Sequence, residues 1–196
     1  MRMNLSLPAL ALLGSVLAVV TPLPAAAQVR GDVSPLVGDL VGGLFCAPED
    51  AGRRPAPGTM EGWVHIPAEP IEMIVQTTQA PMILGTGFGV RYRLDVPAPA
   101  VVTYTVTHPA IPPTNMTVES WDSQEAVSGG DSFFFQFDKP EEMVPGEWTF
   151  SASVHGEVLF TFAFDVHAAA DLPALVHLCR APSLLSFSRT GPFAAG

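Results

Sequence analysis

Residues 148–166 read WTFSASVHGEVLFTFAFDV, and this stretch decides the fold. In its first half Trp148, Phe150, Ala152 and Val154 share one parity, while Thr149, Ser151, Ser153 and His155 share the other. In its second half Val158, Phe160, Phe162, Phe164 and Val166 fall together. A two-residue period with apolar side chains on one face marks a half-buried β-strand. His155-Gly156 between the halves supplies a tight reversal, because glycine accepts positive φ at no steric cost. The stretch predicts an antiparallel hairpin. Fully burying one such Phe contributes about 1.5–3 kcal/mol, which places this hairpin at the centre of the core.

The same rhythm continues upstream. Phe88, Val90, Tyr92, Leu94 and Val96 alternate with Gly89, Arg91, Arg93 and Asp95, and Pro97 and Pro99 end that strand. Val101 to Thr107 is rich in β-branched residues and is expected to stop at His108-Pro109 and Ile111-Pro112-Pro113. Met116 to Trp121 is a further candidate. Gly129-Gly130 is expected to turn the chain into the alternating run of Phe133, Phe135 and Phe137. Gly62 to Ile66 and Ile71 to Thr78 read as earlier strands. No long amphipathic helical pattern interrupts them. About seven strands punctuated by Pro and Gly predict an all-β protein, an immunoglobulin-like antiparallel β-sandwich, with a closed barrel as the runner-up.

The ends of the chain read differently. Arg2, an uncharged apolar run over residues 5–20 and Ala25-Ala26-Ala27 match a secretory signal peptide, with cleavage expected between Ala27 and Gln28. The run is short for a membrane span, so no span is expected after its removal. The organisation is then a signal peptide (1–27), an irregular N-terminal arm (28–60), a β-sandwich domain (61–167) and a C-terminal tail (168–196). Ser34-Pro35 is a plausible helix start in the arm, although Gly38, Gly42 and Gly43 weaken it. Asp171 is expected to cap a short helix around Leu175 to Arg180. Cys46 and Cys179 are the two cysteines, and an exported chain favours their pairing as a disulfide between arm and tail. Closing a loop of about 130 residues contributes up to about 4–5 kcal/mol.

The formal net charge is −10, or −11 without Arg2, and Lys139 is the sole lysine. Few cations can neutralise few phosphates, so nucleic acid is not an expected partner. Anionic lipid is disfavoured for the same reason. The expected location is periplasmic or secreted.

Candidate chemistry is sparse. His65, His108, His155, His167 and His177, with the methionines, invite a copper reading, but their spacing lacks a ligand pattern, and surface histidines and core methionines are the expectation. Gly85-Thr86-Gly87-Phe88-Gly89 precedes a strand, where a phosphate loop needs a helix. Glu141, Glu142 and Glu147 near Asp138 form an acidic loop that could serve acid–base chemistry or bind calcium, or simply be solvated. No G-x-S-x-G elbow occurs. No catalytic, cofactor or metal residue is assigned. Trp148, at the corner Val144-Pro145-Gly146-Glu147, is expected as a core anchor whose indole N–H bonds nearby backbone.

Three segments occur in order: Leu84 to Val90, His108-Pro109, and Phe137-Asp138-Lys139-Pro140-Glu141-Glu142-Met143-Val144-Pro145-Gly146-Glu147-Trp148-Thr149-Phe150. Together they resemble the bacterial exported domain-of-unknown-function family 3859 over residues 80–166. Phe88, Gly89, Pro109, Pro145, Gly146 and Trp148 carry the resemblance. It implies an immunoglobulin-like sandwich in an envelope compartment and brings no activity with it. The functional expectation is a non-catalytic binding or interaction module for an unknown protein or envelope ligand. The alternatives are an envelope polymer hydrolase or accessory working through the acidic loop, and a periplasmic copper carrier.

Overall fold

The computed structural model describes residues 29–179 except 31, 97–98 and 126–128; the expected signal peptide and its Ala27–Gln28 cut lie outside that range. Its strands are β1 (Val37–Cys46), β2 (Asp50–Pro55), β3 (Trp63–Pro67), β4 (Gln79–Pro81), β5 (Thr86–Leu94), β6 (Ala100–Ile111), β7 (Met116–Glu125), β8 (Gly129–Gln136), β9 (Gly146–Val154) and β10 (Glu157–His167). Three strands form one sheet in the order β1-β5-β8, and five form a second in the order β4-β10-β9-β6-β7. β2 and β3 make a separate hairpin. Chain neighbours β5 and β6, β7 and β8, and β8 and β9 lie in opposite sheets, as a Greek key requires. The arrangement corresponds to the A-B-E and G-F-C-C′ layers of an immunoglobulin-like sandwich.

The hairpin of β9 and β10 lies inside the five-stranded sheet, turned by His155 (φ 52°) and Gly156 (φ 84°). Two consecutive positive φ values match the strands' right-handed twist. Phe150, Phe160, Phe162 and Phe164 are all buried. The alternation fails at one position. The β9–β10 register shifts between Val158 and Phe160, so Leu159 enters the core and Val158 is left 58% exposed. From the facing sheet Phe88 enters the centre, its ring 5.4 Å from those of Phe137, Trp148 and Phe164 and 5.6 Å from that of Phe150. The contacts with Trp148, Phe150 and Phe164 are edge-on, an arrangement that adds about 0.5–1.5 kcal/mol each beyond area burial.

Several segments depart from the sequence reading. The arm expected to be irregular supplies β1 and β2, so the strands begin well before residue 61 and no helix starts at Ser34-Pro35. The glycines of β1 are strand glycines fixed by close packing. A Cβ at Gly42 would collide with the Phe162 ring, and one at Gly43 with the Val75 carbonyl. Residues 71–78 form no strand beyond a single bridge between Leu44 and Val75. β6 does not stop at His108-Pro109 but runs on to Ile111 through an irregular register, a position that tolerates proline. Gly129-Gly130 opens β8 instead of turning. In place of the expected helix near Leu175, a short 3₁₀ turn (Ala169–Asp171) is followed by turns to Cys179; Arg180 lies outside the described residues. Leu175 and Leu178 pack against the core, and Cys179 is disulfide-bonded to Cys46 at the end of β1, with Cα atoms 5.3 Å apart.

Candidate functional site

The sequence-selected residues converge on a structural corner. Gly146 has φ 130°, and a Cβ there would approach Pro109 to 3.0 Å. Glycine is therefore favoured by the backbone angle, and the contact leaves little room for a side chain. Trp148 follows, fully buried against Phe88, and its indole N–H donates to the Val144 carbonyl at 3.2 Å. Gly89 lets the backbone of Phe133 and Phe134 approach β5. Pro145 is exposed at the turn into β9. This cluster lines neither of the two cavities described below.

The cavities lie elsewhere. The β2–β3 hairpin roofs the opening between β7 of one sheet and β8 of the other. On the β7 side, Ser120 N–H donates to the Gly58 carbonyl at 3.0 Å, and Met60 N–H donates to Glu119 Oε2 at 2.8 Å. On the β8 side, His65 sits between two carboxylates: Nδ1 is 2.8 Å from Asp50 Oδ1 and Nε2 is 2.6 Å from Asp138 Oδ2. Lys139 pairs with Glu61, whose hydrogen bond raises the lysine pKa. The Arg53 guanidinium lies 3.7 Å over the Trp63 ring and stiffens the roof.

Beneath the hairpin lies a cleft of 520 Å³, within the usual range of ligand sites. One wall is the unbroken run 130–136 of β8, the other the run 63–71, and Tyr104, Glu119 and Trp121 contribute the base. A smaller hollow of 320 Å³ around Asp50, Arg53 and Lys139 shares His65 and Asp138 with it. Tyr104 on β6 donates to Asp131 Oδ2 of β8 at 2.6 Å. Tyr92 on β5 lies 2.6 Å from the Tyr104 hydroxyl oxygen and, with that proton committed, donates to it. Burial first, and then the Asp131 charge, push the Tyr104 pKa far above its ordinary value. His108 corrects the expectation of surface histidines. It is buried, stacked on Trp148 at 4.7 Å, with Nδ1 2.8 Å from the Pro109 carbonyl oxygen. Its Nε2 lies 3.4 Å from Glu119 Oε1, and neither atom makes a hydrogen bond.

Of the acidic loop, Glu141 and Glu147 are exposed, and Glu147 pairs with Arg30. Glu142 is buried at the cleft wall, and burial raises its pKa. Its Oε2 accepts the backbone N–H groups of Asp138 at 2.7 Å and Lys139 at 3.0 Å, which anchors the 3₁₀ turn Pro140–Glu142. Asp138 also accepts from the Gln136 side chain, and Asp131 from Ser132 N–H. These carboxylates are occupied in fixing the walls. Among the described residues no three of His, Cys, Asp and Glu are grouped so as to hold a metal ion, and no helix is long and apolar enough to cross a membrane.

The model of one family, described as a domain of unknown function (DUF3859), matches residues 33–166. The chain belongs to the DUF3859 family. The match takes in β1 to β10, including Cys46, and ends before Cys179. Among solved structures, an immunoglobulin-like protein from Pseudomonas aeruginosa is 23% identical with a TM-score of 0.46, covering 73% of the DUF3859 chain and 99% of its own. A β-D-glucoside glucohydrolase from Trichoderma reesei is 11% identical with a TM-score of 0.29, covering 72% of this chain and 19% of that one. No protein of curated function matches.

The cleft was not visible in the sequence. His65, Asp50 and Asp138 meet across 15 and 73 residues of chain. No local signal joins Trp63 to Trp121, which line the same cleft from β3 and β7.

Proposed function

We propose that this DUF3859 protein is exported, loses residues 1–27, and acts in the periplasm or outside the cell as a non-catalytic binding module whose ligand sits in the cleft beneath β2–β3. The observation that carries the reading is the cleft itself: 520 Å³ between two strand walls, with both Trp63 and Trp121 at its surface. Export is supported by the leader-like N-terminus and by the disulfide, a bond typical of oxidising compartments.

A photo-crosslinking amino acid placed at Ile66, which is exposed and lines the cleft, tests the reading against the same probe at Val158, exposed on β10 near the hairpin tip. In envelope extract of the source cell, residue 66 is expected to give defined adducts that residue 158 does not. Equal labelling at the two positions, or none at residue 66, refutes the cleft as the ligand seat.

A further inference from the structure

The walls of the cleft are strand edges. β8 is the last strand of its sheet, and β3 pairs with β2 alone. In the four-stranded layer of a constant-type immunoglobulin domain a fourth strand lies beside the strand that β8 corresponds to. Here that flank faces the cleft. Among the described residues, 129–136 and 63–67 make no backbone–backbone hydrogen bonds beyond their own ladders. The unbroken runs 130–136 and 63–71 along the walls fit this picture, since a sheet face would expose only alternate residues. An edge strand carries a row of unused N–H and C=O groups, and folds normally cover such a row or blunt it with lysine, proline or a bulge. β8, with sequence GGDSFFFQ, has neither lysine nor proline, and its pairing with β5 runs without a register shift.

The charge of the cleft is one-sided. Glu61, Glu69, Glu119, Asp131, Asp138 and Glu142 line it, against Arg54 and His65, with Lys139 paired to Glu61 at its margin. Glu119 Oε1 is buried behind this wall, 3.4 Å from His108 Nε2, and adds its charge from there. Trp63 and Trp121 line it as well, and one face of Trp63 already carries the Arg53 guanidinium, which shows that a cationic head can be held on this ring.

We infer that the cleft receives an extended, basic polypeptide segment, which adds as a strand along the free edge of β8. The inference rests on reading the cleft as the ligand seat and names its occupant. Main-chain hydrogen bonds to β8 supply affinity, and the carboxylates select Lys and Arg on the incoming strand. A second copy of this chain fits poorly, because its net charge of −10 would bring acid against acid.

The test is selection of a random decapeptide library displayed on phage against the full protein, followed by binding of the winning synthetic peptides. Enriched sequences are expected to be rich in Lys and Arg and to protect an alternate set of amides within 130–136 from hydrogen exchange. N-methylating every second peptide amide should weaken binding by about tenfold or more, and Glu69→Lys, at an exposed residue, by about fivefold. Enriched peptides that are acidic or neutral, or that shift the Trp63 and Trp121 signals without protecting β8, overturn strand addition and leave the cleft as a seat. Spermidine binding as tightly as the peptides does the same. Enrichment of peptides that leave both tryptophans and β8 unchanged overturns the seat as well, and failure of any sequence to enrich overturns the inference.

Discussion

Phe88→Ala is the sharpest probe of the core. Phe88 is fully buried, and its ring centroid lies between 5.4 and 6.0 Å from those of Phe135, Phe137, Trp148, Phe150 and Phe164. Those rings come from both sheets and from the segment after β8, so no single side chain can swing into the hole. Removing a buried Phe costs the transfer energy of its ring plus a cavity that the neighbours only partly close, about 3–5 kcal/mol in general. The packing from several directions puts this site near the top of that range, at about 4–5 kcal/mol. For a domain of this size each kcal/mol lowers Tm by about 2–4 °C, so a fall of roughly 8–20 °C is expected. Val158→Ala is the matched control. It carries the same parity as Phe160 in sequence, yet it is 58% exposed, and it should cost no more than about 0.5 kcal/mol. Urea unfolding of both variants with the disulfide intact measures the two values. A loss below about 1.5 kcal/mol for Phe88→Ala, or similar losses at the two positions, refutes the packing argument.

Two further outcomes follow from particular contacts. The folded state holds the Glu142 proton more tightly than the unfolded chain does, because burial raises its pKa above 4.5. Its contribution to stability is therefore complete below the unfolded pKa and is lost as pH rises through the folded one. Relative to Glu142→Gln, the native protein should lose stability as pH climbs from about 4 towards neutrality, read from urea midpoints across that range; a relative gain would contradict the assignment. Replacing Cys46 and Cys179 together by Ser opens a closure of 133 residues and should cost up to about 5 kcal/mol. Calorimetry showing an unchanged Tm in the double variant would mean that the tie from β1 to the turns after β10 contributes nothing.

Much of the sandwich was legible because its central strands follow a local rule. Residues 148–166 and 88–96 show their buried face by parity alone, and the His155-Gly156 turn by composition. The rule fails where long-range contacts set the identity of a residue. Gly42 and Gly43 read only as residues that weaken a helix, because the Phe162 ring and the Val75 carbonyl that demand them are far away in the chain. The Val158 bulge has no signal in a pattern that looks uninterrupted, since Val158, Leu159 and Phe160 are all apolar. Pro109 reads as a strand end, yet the backbone around it is already irregular, so a missing N–H costs little there. The cleft is harder still. Its walls are assembled from β3, β6, β7 and β8, and neither Trp63 nor Trp121 carries a motif announcing that the other lies across from it. Glu142 read as one of three carboxylates in a solvated or reactive loop, because nothing local marks a carboxylate that is buried and accepts two amides.

The hydroxyl chain from Tyr92 through Tyr104 to Asp131 has a practical consequence. These are the only two tyrosines in the protein, and they meet where the sheets face each other under the cleft. Their near-ultraviolet absorption is therefore a gauge fixed at a single point. A cation settling near Asp131 draws on the acceptor to which Tyr104 is bonded, and the phenol spectrum registers it without any added label. Loosening of one sheet from the other breaks the same chain, so the tyrosine contribution, separated from that of the three tryptophans by difference spectroscopy, follows the integrity of the sandwich as well.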